Sequence, residues 1–357
     1  MAELFGRTMN KTEILERVGD IAQICDARRM TFSEGRAAGV DTIEVVNGSG
    51  LAFTVVPSRC MDISRASYKG MPVAWQSAVG ETAPAFYQPE GFEWLRGFFG
   101  GLLTTCGMAY SSHPCEDQGE KLGLHGRASN IPAENVAVRK RWDGDDYLIS
   151  IYGRVREVGV FQDNLILDRT ITTRLGSKAL TISDTIENAG FTESPLMMLY
   201  HINPGWPVVS ENSRLVAPVR SSKPFDERAR AEIDMWSSFL PPQEIYPERC
   251  YLHDMAAGHD GLVRLALVND KLGIGIGMVY PRAEFPQFVN WKMMGRGTYV
   301  VGIEPGNITG NRAAMRADGS LETIGPGEVR SFTIELRVLD GAGEIEAFVE
   351  IVEGIGL

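Results

Sequence analysis

From Thr42 onward the chain is a succession of short apolar runs broken by Gly, Pro, Asn and Asp. They are Ile43–Val46, Leu51–Val56, Val136–Val138, Tyr147–Tyr152, Leu165–Thr173, Leu180–Ile186 and Pro195–Tyr200, then Leu262–Val268, Leu272–Val279, Thr298–Ile303 and Val329–Leu339. Most are short and rich in β-branched and aromatic residues, which predicts strands. Alternation is explicit in one of them: Thr170, Thr172 and Arg174 fall on one face, Ile171, Thr173 and Leu175 on the other, the period of a half-buried strand.

The spacers seldom leave room for a helix. Pro89–Phe99 and Glu227–Trp236 are the best exceptions, and the first 25 residues suggest a helix capped by Thr12 and running through Val18, with Ile14, Leu15 and Val18 on one side. Strand following strand favours an antiparallel sandwich over a parallel sheet with crossover helices. We therefore expect an all-β chain, a single large domain over 1–357 with residues 1–25 as a helical extension. Gly273, Gly275 and Gly277 mimic part of a dinucleotide fingerprint, but Pro281 follows a β-like run where a helix would have to begin. Close packing or a bulge is the expected role of these glycines.

Charge narrows the partners. Asp plus Glu number 46 against 35 Lys plus Arg, a formal charge of -11, so neither nucleic acid nor an anionic membrane is expected as a partner. The most apolar stretch, Phe92–Tyr110, carries Glu93, Arg96 and four glycines, unlike a spanning helix. No signal-peptide core is visible at the start. Five scattered cysteines, Cys25, Cys60, Cys106, Cys115 and Cys250, do not form a disulfide framework and fit a reducing cytoplasm. A cytoplasmic protein is expected.

Three ionisable residues stand where apolar or glycine-rich runs end: His125 in KLGLHGRASN, His201 after PLMMLY, and Glu304 after YVVGI. Strand ends are common sites for catalytic groups, although a lone strand-end histidine is more often structural. Glycines on both sides of His125 leave room for a ligand near the backbone. Around these residues lie side chains suited to sugar hydroxyls and flat C–H faces: Arg59, Asp62, Arg127, Asn203, Trp206, Asn290, Trp291, Lys292 and Asn307. Arg59 and Asp62 equally suit a structural salt bridge.

The segments KLGLHGRASNIPAENV, LMMLYHINPGWPVVSENSRLVAP, FVNWKMMG and YVVGIEPGN together resemble the aldose-1-epimerase (galactose mutarotase-like) superfamily, and within it a poorly characterised bacterial branch. The likeness runs from about Val46 to Leu339. It implies a large antiparallel β-supersandwich and an isomerase of carbohydrate metabolism, with a small-molecule carbohydrate as ligand and no cofactor or metal. It also implies roles: Glu304 as the base at the anomeric hydroxyl, His201 as the acid at the ring oxygen, His125 as assistant. The setting of His201, Tyr-His-Ile-Asn-Pro-Gly-Trp, departs from the family's usual Asn-His-Ser-Tyr-Phe-Asn, and Gly126-Arg127 replaces two glycines after His125. Both changes bear on the substrate more than on the fold.

Opening a pyranose removes a proton from O1 and delivers one to O5, and each well-placed group contributes roughly 10²–10⁴-fold. Cations from His, Arg127 or Lys292 are expected to keep Glu304 ionised. Other readings stay open on the same scaffold: a glycosidase pairing Glu304 with Asp62 or Asp254, a metal-dependent isomerase using His113, Cys115 and His125, or a sugar-binding module without turnover. Arg59, Arg127 and Lys292 also suit an acidic sugar such as a uronate, and exposed edge strands suit a homodimer.

Overall fold

A computed structural model describes residues 1–356, and every strand pairing within its sheets is antiparallel. Three sheets carry the architecture. The first has eight strands in the order Glu134–Asp143, Asp146–Val158, Asn164–Arg174, Ala179–Asn188, Val329–Asp340, Ile274–Pro281, Leu262–Asn269 and Ser213–Val216. The second has six: Val219–Pro224, Arg249–Met255, Gln287–Gly295, Thr298–Gly306, Leu199–His201 and Thr104–Cys106. The third has five: Cys25–Thr31, Asp41–Asn47, Leu51–Val56, Asp62–Tyr68 and Met71–Pro72. A bridge between Ile63 and Leu103 joins the third sheet to the second.

Alternation explains why these layers close on one another. In Asn164–Arg174 buried and half-exposed positions strictly alternate until the last residue, so one face goes to the core. A single apolar cluster takes Phe53 and Val55 from the five-stranded sheet, Ile151, Leu167 and Ile182 from the eight-stranded one, and Val301 and Ile303 from the six-stranded one. Each fully buried aliphatic side chain of this kind contributes roughly 1.5–3 kcal/mol. The sandwich read from the sequence is the fold observed.

The differences lie at helices and at the start of the chain. The first helix is only Lys11–Leu15, and its cap is Asn10, not Thr12, with Glu13 reaching back to the cap amide; that reciprocal pair outcompetes a cap two residues later. Short strands Ala2–Leu4 and Arg7–Met9 precede it, and Cys25–Thr31 is already a sheet strand. Pro195–Tyr200 is interrupted, with strands only at Ser194–Pro195 and Leu199–His201. The longest helix, Ala342–Glu353, buries Ile345, Phe348, Val349 and Val352, the one-sided spacing of a packed helix. It covers the back of the eight-stranded sheet, where a Cβ on Gly277 would meet the Phe348 ring at 3.0 Å. Gly275 and Gly277 therefore serve close packing, as expected, while Gly273, at φ +64°, belongs to the turn before the strand.

Across the layers runs a buried polar cluster that bears on the site. Arg169, fully enclosed, donates to Asp184 at 2.6 Å, to Asp62 at 3.2 Å, to the Thr105 hydroxyl at 2.8 Å and to the Cys60 carbonyl at 3.1 Å. The Tyr200 hydroxyl donates to Asp184. Tyr200 immediately precedes His201, so this cluster pins from behind the short strand that carries the histidine.

Candidate active site

The short strand Leu199–His201 lies between Thr104–Cys106 and Thr298–Gly306, with His201 opposite Thr104 and Leu199 opposite Gly306. Glu304, on Thr298–Gly306, pairs with Val289 of the next strand. Neighbouring strands thus bring Glu304 Oε1 to 3.3 Å from His201 Nε2. Both residues are almost wholly buried. His125 arrives from a loop: its amide donates to the Ser112 carbonyl, its carbonyl accepts from Gly107 N, and its φ is +58°. A Cβ on the next residue, Gly126, would stand 2.1 Å from the Tyr110 carbonyl oxygen. That glycine is required by the protein's own backbone, so the room expected for a ligand is already filled.

The rings of His125 and His201 meet nearly perpendicularly at 5.7 Å between centroids. Phe98 and Trp291 flank His201 at 5.2 and 5.3 Å, and Trp94 packs on His125 at 4.9 Å. Together they border a cavity of about 140 Å³, with Glu304, His201 and His125 on its wall and Phe92, Leu95 and Phe225 also lining it. Drug-sized pockets run roughly 300–1,000 Å³, so this one suits a small ligand. Glu304 Oε1, His201 Nδ1 and His125 Nδ1 are buried without a hydrogen-bond partner in the protein. Buried polar atoms are normally satisfied, and these three belong to residues that line one cavity.

Burial dominates the electrostatics. It pushes His201 down to about 4, partly opposed by the Asn203 side chain. His125 is driven well below the usual imidazole range by burial and then by His201 and His113. Burial, and secondarily the Glu248 charge, hold the Glu304 carboxyl well above the carboxylate range. Burial thus favours a carboxylic acid beside a neutral imidazole, against the ionised Glu304 expected from nearby cations. Among the lining residues there is no Arg or Lys.

Of the sugar-contacting residues expected from sequence, Trp291 alone lines the cavity along with the three ionisable groups. Arg59 is buried and donates to the carbonyls of Ser129, Thr82 and Gly97. Asp62 accepts from Thr105 and Arg169. Arg127 is exposed, 3.8 Å from Glu120. Asn203 donates to the His201 carbonyl, Asn290 to the Gly302 carbonyl, and Asn307 to the Leu196 carbonyl while accepting from Met198 N. Lys292 gives its ammonium to the Met235 and Ser238 carbonyls. Trp206 is 68% exposed and outside the cavity. These side chains hold the frame around the cavity instead of reaching into it, and none of the three cations reserved for an acidic sugar faces it.

The carboxylates considered for a glycosidase pair are also elsewhere: Asp62 is in the buried cluster and Asp254 pairs with Arg282. The second carboxylate of the cavity is Glu248, which accepts from Trp291 Nε1 at 2.9 Å. Among the described residues no group of three or more His, Cys, Asp or Glu is placed to hold a metal ion, and His113 and His125 line the cavity without Cys115. Nor, among them, is any helix long and apolar enough to cross a membrane.

Residues 37–338 match the family model described as a domain of unknown function, DUF4432. The chain belongs to that family. A comparison of the DUF4432 chain with curated proteins finds no match. Among solved structures it is similar to a provisionally assigned aldose 1-epimerase from Klebsiella pneumoniae, at 25% identity and a TM-score of 0.88, covering 92% of this chain and 87% of that one. It is also similar to a galactose mutarotase-like protein from Clostridium acetobutylicum (15% identity, TM-score 0.59, 89% and 99% covered) and to a galactose 1-epimerase from Lactobacillus acidophilus (12%, 0.58, 89% and 100%). This DUF4432 protein thus has the galactose mutarotase-like fold, as the motifs implied.

Sequence reasoning passed over Glu248, Phe98, Trp94 and Gly302. Gly302 is the most informative of them. It stands two residues before Glu304 on the same face, and a Cβ there would fall 1.8 Å from Glu304 Oε1. The pattern Gly-x-Glu at 302–304 was the available signal: a small residue on the same strand face clears space for a side chain that lies along the sheet.

Proposed function

We propose that this protein is a sugar mutarotase, interconverting anomers by acid–base ring opening and closure. The observation that carries the reading is the Glu304–His201 pair, 3.3 Å apart and buried in an aromatic-walled cavity of a mutarotase-like fold. Opening takes the O1 proton to Glu304 as the C1–O5 bond breaks and His201 protonates O5. The pair then holds its one proton on the carboxyl, with the imidazole neutral. Burial favours that same state in the free protein, so the cavity is pre-set for the return step. After rotation about C1–C2, Glu304 gives its proton to the carbonyl oxygen and His201 takes the one on O5, closing the other anomer. Closure leaves Glu304 ionised and His201 protonated, ready for the next opening; in the free protein the same ion pair arises by moving one proton from Glu304 to His201. His125 stands edge-on to His201 on the cavity wall and assists by keeping that ring in place. Trp291 and Phe98 offer flat faces to the ring carbons.

The test is anomeric exchange by NMR with a panel of aldoses, ketoses and uronates, comparing the wild type with Glu304→Gln. The variant keeps shape and loses the proton site, so exchange should fall by about 10²–10⁴-fold while sugar binding persists. Acceleration that survives the substitution, or none with any sugar in folded wild type, defeats the proposal and leaves a binding or hydrolytic role.

A further inference from the structure

We infer that the preferred ligand is a neutral 6-deoxy aldose, a sugar ring bearing a methyl group at C5 where a common hexose has a hydroxymethyl. This rests on the acid–base reading above and adds the substrate class to it. That reading places O5 at His201 and O1 at Glu304. The C6 carbon is two bonds from O5, so it must lie among the side chains that surround the pair. One side of the pair is apolar: Val289 stands opposite Glu304 in the strand register, Leu199 is two residues before His201 on the same strand face, and Phe98 packs on the His201 ring. Of the polar groups in the lining, Glu248 is already engaged by Trp291 Nε1, Ser112, His113 and His125 belong to the loop at 112–125, and Cys250, opposite Trp291 in the register, offers only a thiol, a weak partner for a hydroxyl.

A hydroxymethyl oxygen buried against such walls goes unpaired, whereas a methyl gains contact. The rim supports the same chemistry. Phe92, Leu95 and Phe225 line the cavity and remain substantially exposed, an apolar entrance that disfavours a heavily hydroxylated or charged ligand. With Glu248 and no Arg or Lys lining it, the cavity offers no cation to a uronate or a sugar phosphate.

The experiment compares matched pairs differing by one oxygen: D-galactose with 6-deoxy-D-galactose, and D-glucose with 6-deoxy-D-glucose, with glucuronate and glucose 6-phosphate alongside. Anomeric exchange and saturation-transfer binding are both read on the wild-type protein. A hydrophobic pocket rejects an added hydroxyl by up to about 10²-fold, so kcat/KM for the deoxy member of at least one pair should exceed its partner by roughly 10–100-fold, with the anions inert. Equal or better turnover of the parent hexoses, or of an anion, overturns this inference and leaves the mutarotase reading standing. Selective binding of a deoxy sugar without exchange upholds it and overturns the catalytic reading. Neither binding nor exchange with any deoxy sugar overturns it.

Discussion

Gly302→Ala isolates the geometry of the acid–base pair. An added Cβ would sit 1.8 Å from Glu304 Oε1, 2.8 Å from its carboxyl carbon and 3.1 Å from the Trp291 Cβ. Normal contact is about 3.5–4.0 Å, so the oxygen must retreat by roughly 1.7 Å from the position that faces His201 Nε2. The displaced group is the end of a flexible side chain, and the φ of Gly302 is one that alanine tolerates. Stability should therefore fall by at most about 2.5 kcal/mol, since overpacking costs about 1–3 kcal/mol and alanine gains roughly 0.5–1 kcal/mol over glycine within a strand. Catalysis should change much more, since a displacement of about 1 Å can cost 10²-fold. We expect a folded variant, shown by thermal melting, whose kcat for anomeric exchange falls by about 10²-fold or more. Combined with Glu304→Gln, the loss should be well short of the product of the two, because both remove the same group. Wild-type turnover in folded Gly302→Ala would refute the placement of Glu304 as a reacting group.

Other consequences are open to measurement. Arg169→Met leaves Asp62 and Asp184 buried without their cation and should cost about 3–5 kcal/mol in denaturant unfolding; a loss below about 1 kcal/mol would show that the cluster does not hold the layers together. His253, enclosed by Trp236, Tyr251 and Phe288 with Ser222 on Nδ1, is pushed down to about 4 by burial. A depressed folded value means its contribution is present above the ordinary pKa of about 6.5 and is lost as pH falls through the folded value. Relative to wild type, His253→Gln should thus gain up to about 3 kcal/mol between pH 7 and 4; a difference that stays flat with pH would show that the imidazole is not held neutral.

Much of the frame was readable from period two alone. Strands such as Leu51–Val56 and Asn164–Arg174 coincide with alternating runs, and the three residues ending apolar runs do converge. The sugar contacts were less readable because parity decides them. In Gln287–Gly295, Val289 and Trp291 face the cavity while Asn290 and Lys292 point the other way. A motif that reads N-W-K cannot say which of its members faces inward until the register is fixed. Arg59 failed for a different reason: its three carbonyl acceptors come from residues 82, 97 and 129, loops whose approach no local pattern reveals. The helix Ala342–Glu353 carried its own signal in the spacing of Ile345, Phe348, Val349 and Val352, eclipsed by the strand-rich sequence before it.

The short strand Leu199–His201 divides its labour by face. Tyr200 reaches into the Arg169 cluster, while Leu199 and His201 look into the cavity. Val289 and Asn290 split in the same way on a neighbouring strand. Specificity and stability are therefore written in alternate letters of the same short words. Substitutions at the cavity-facing letters, Leu199 and Val289 first, can reshape the cavity while the interleaved ones keep the sheets locked.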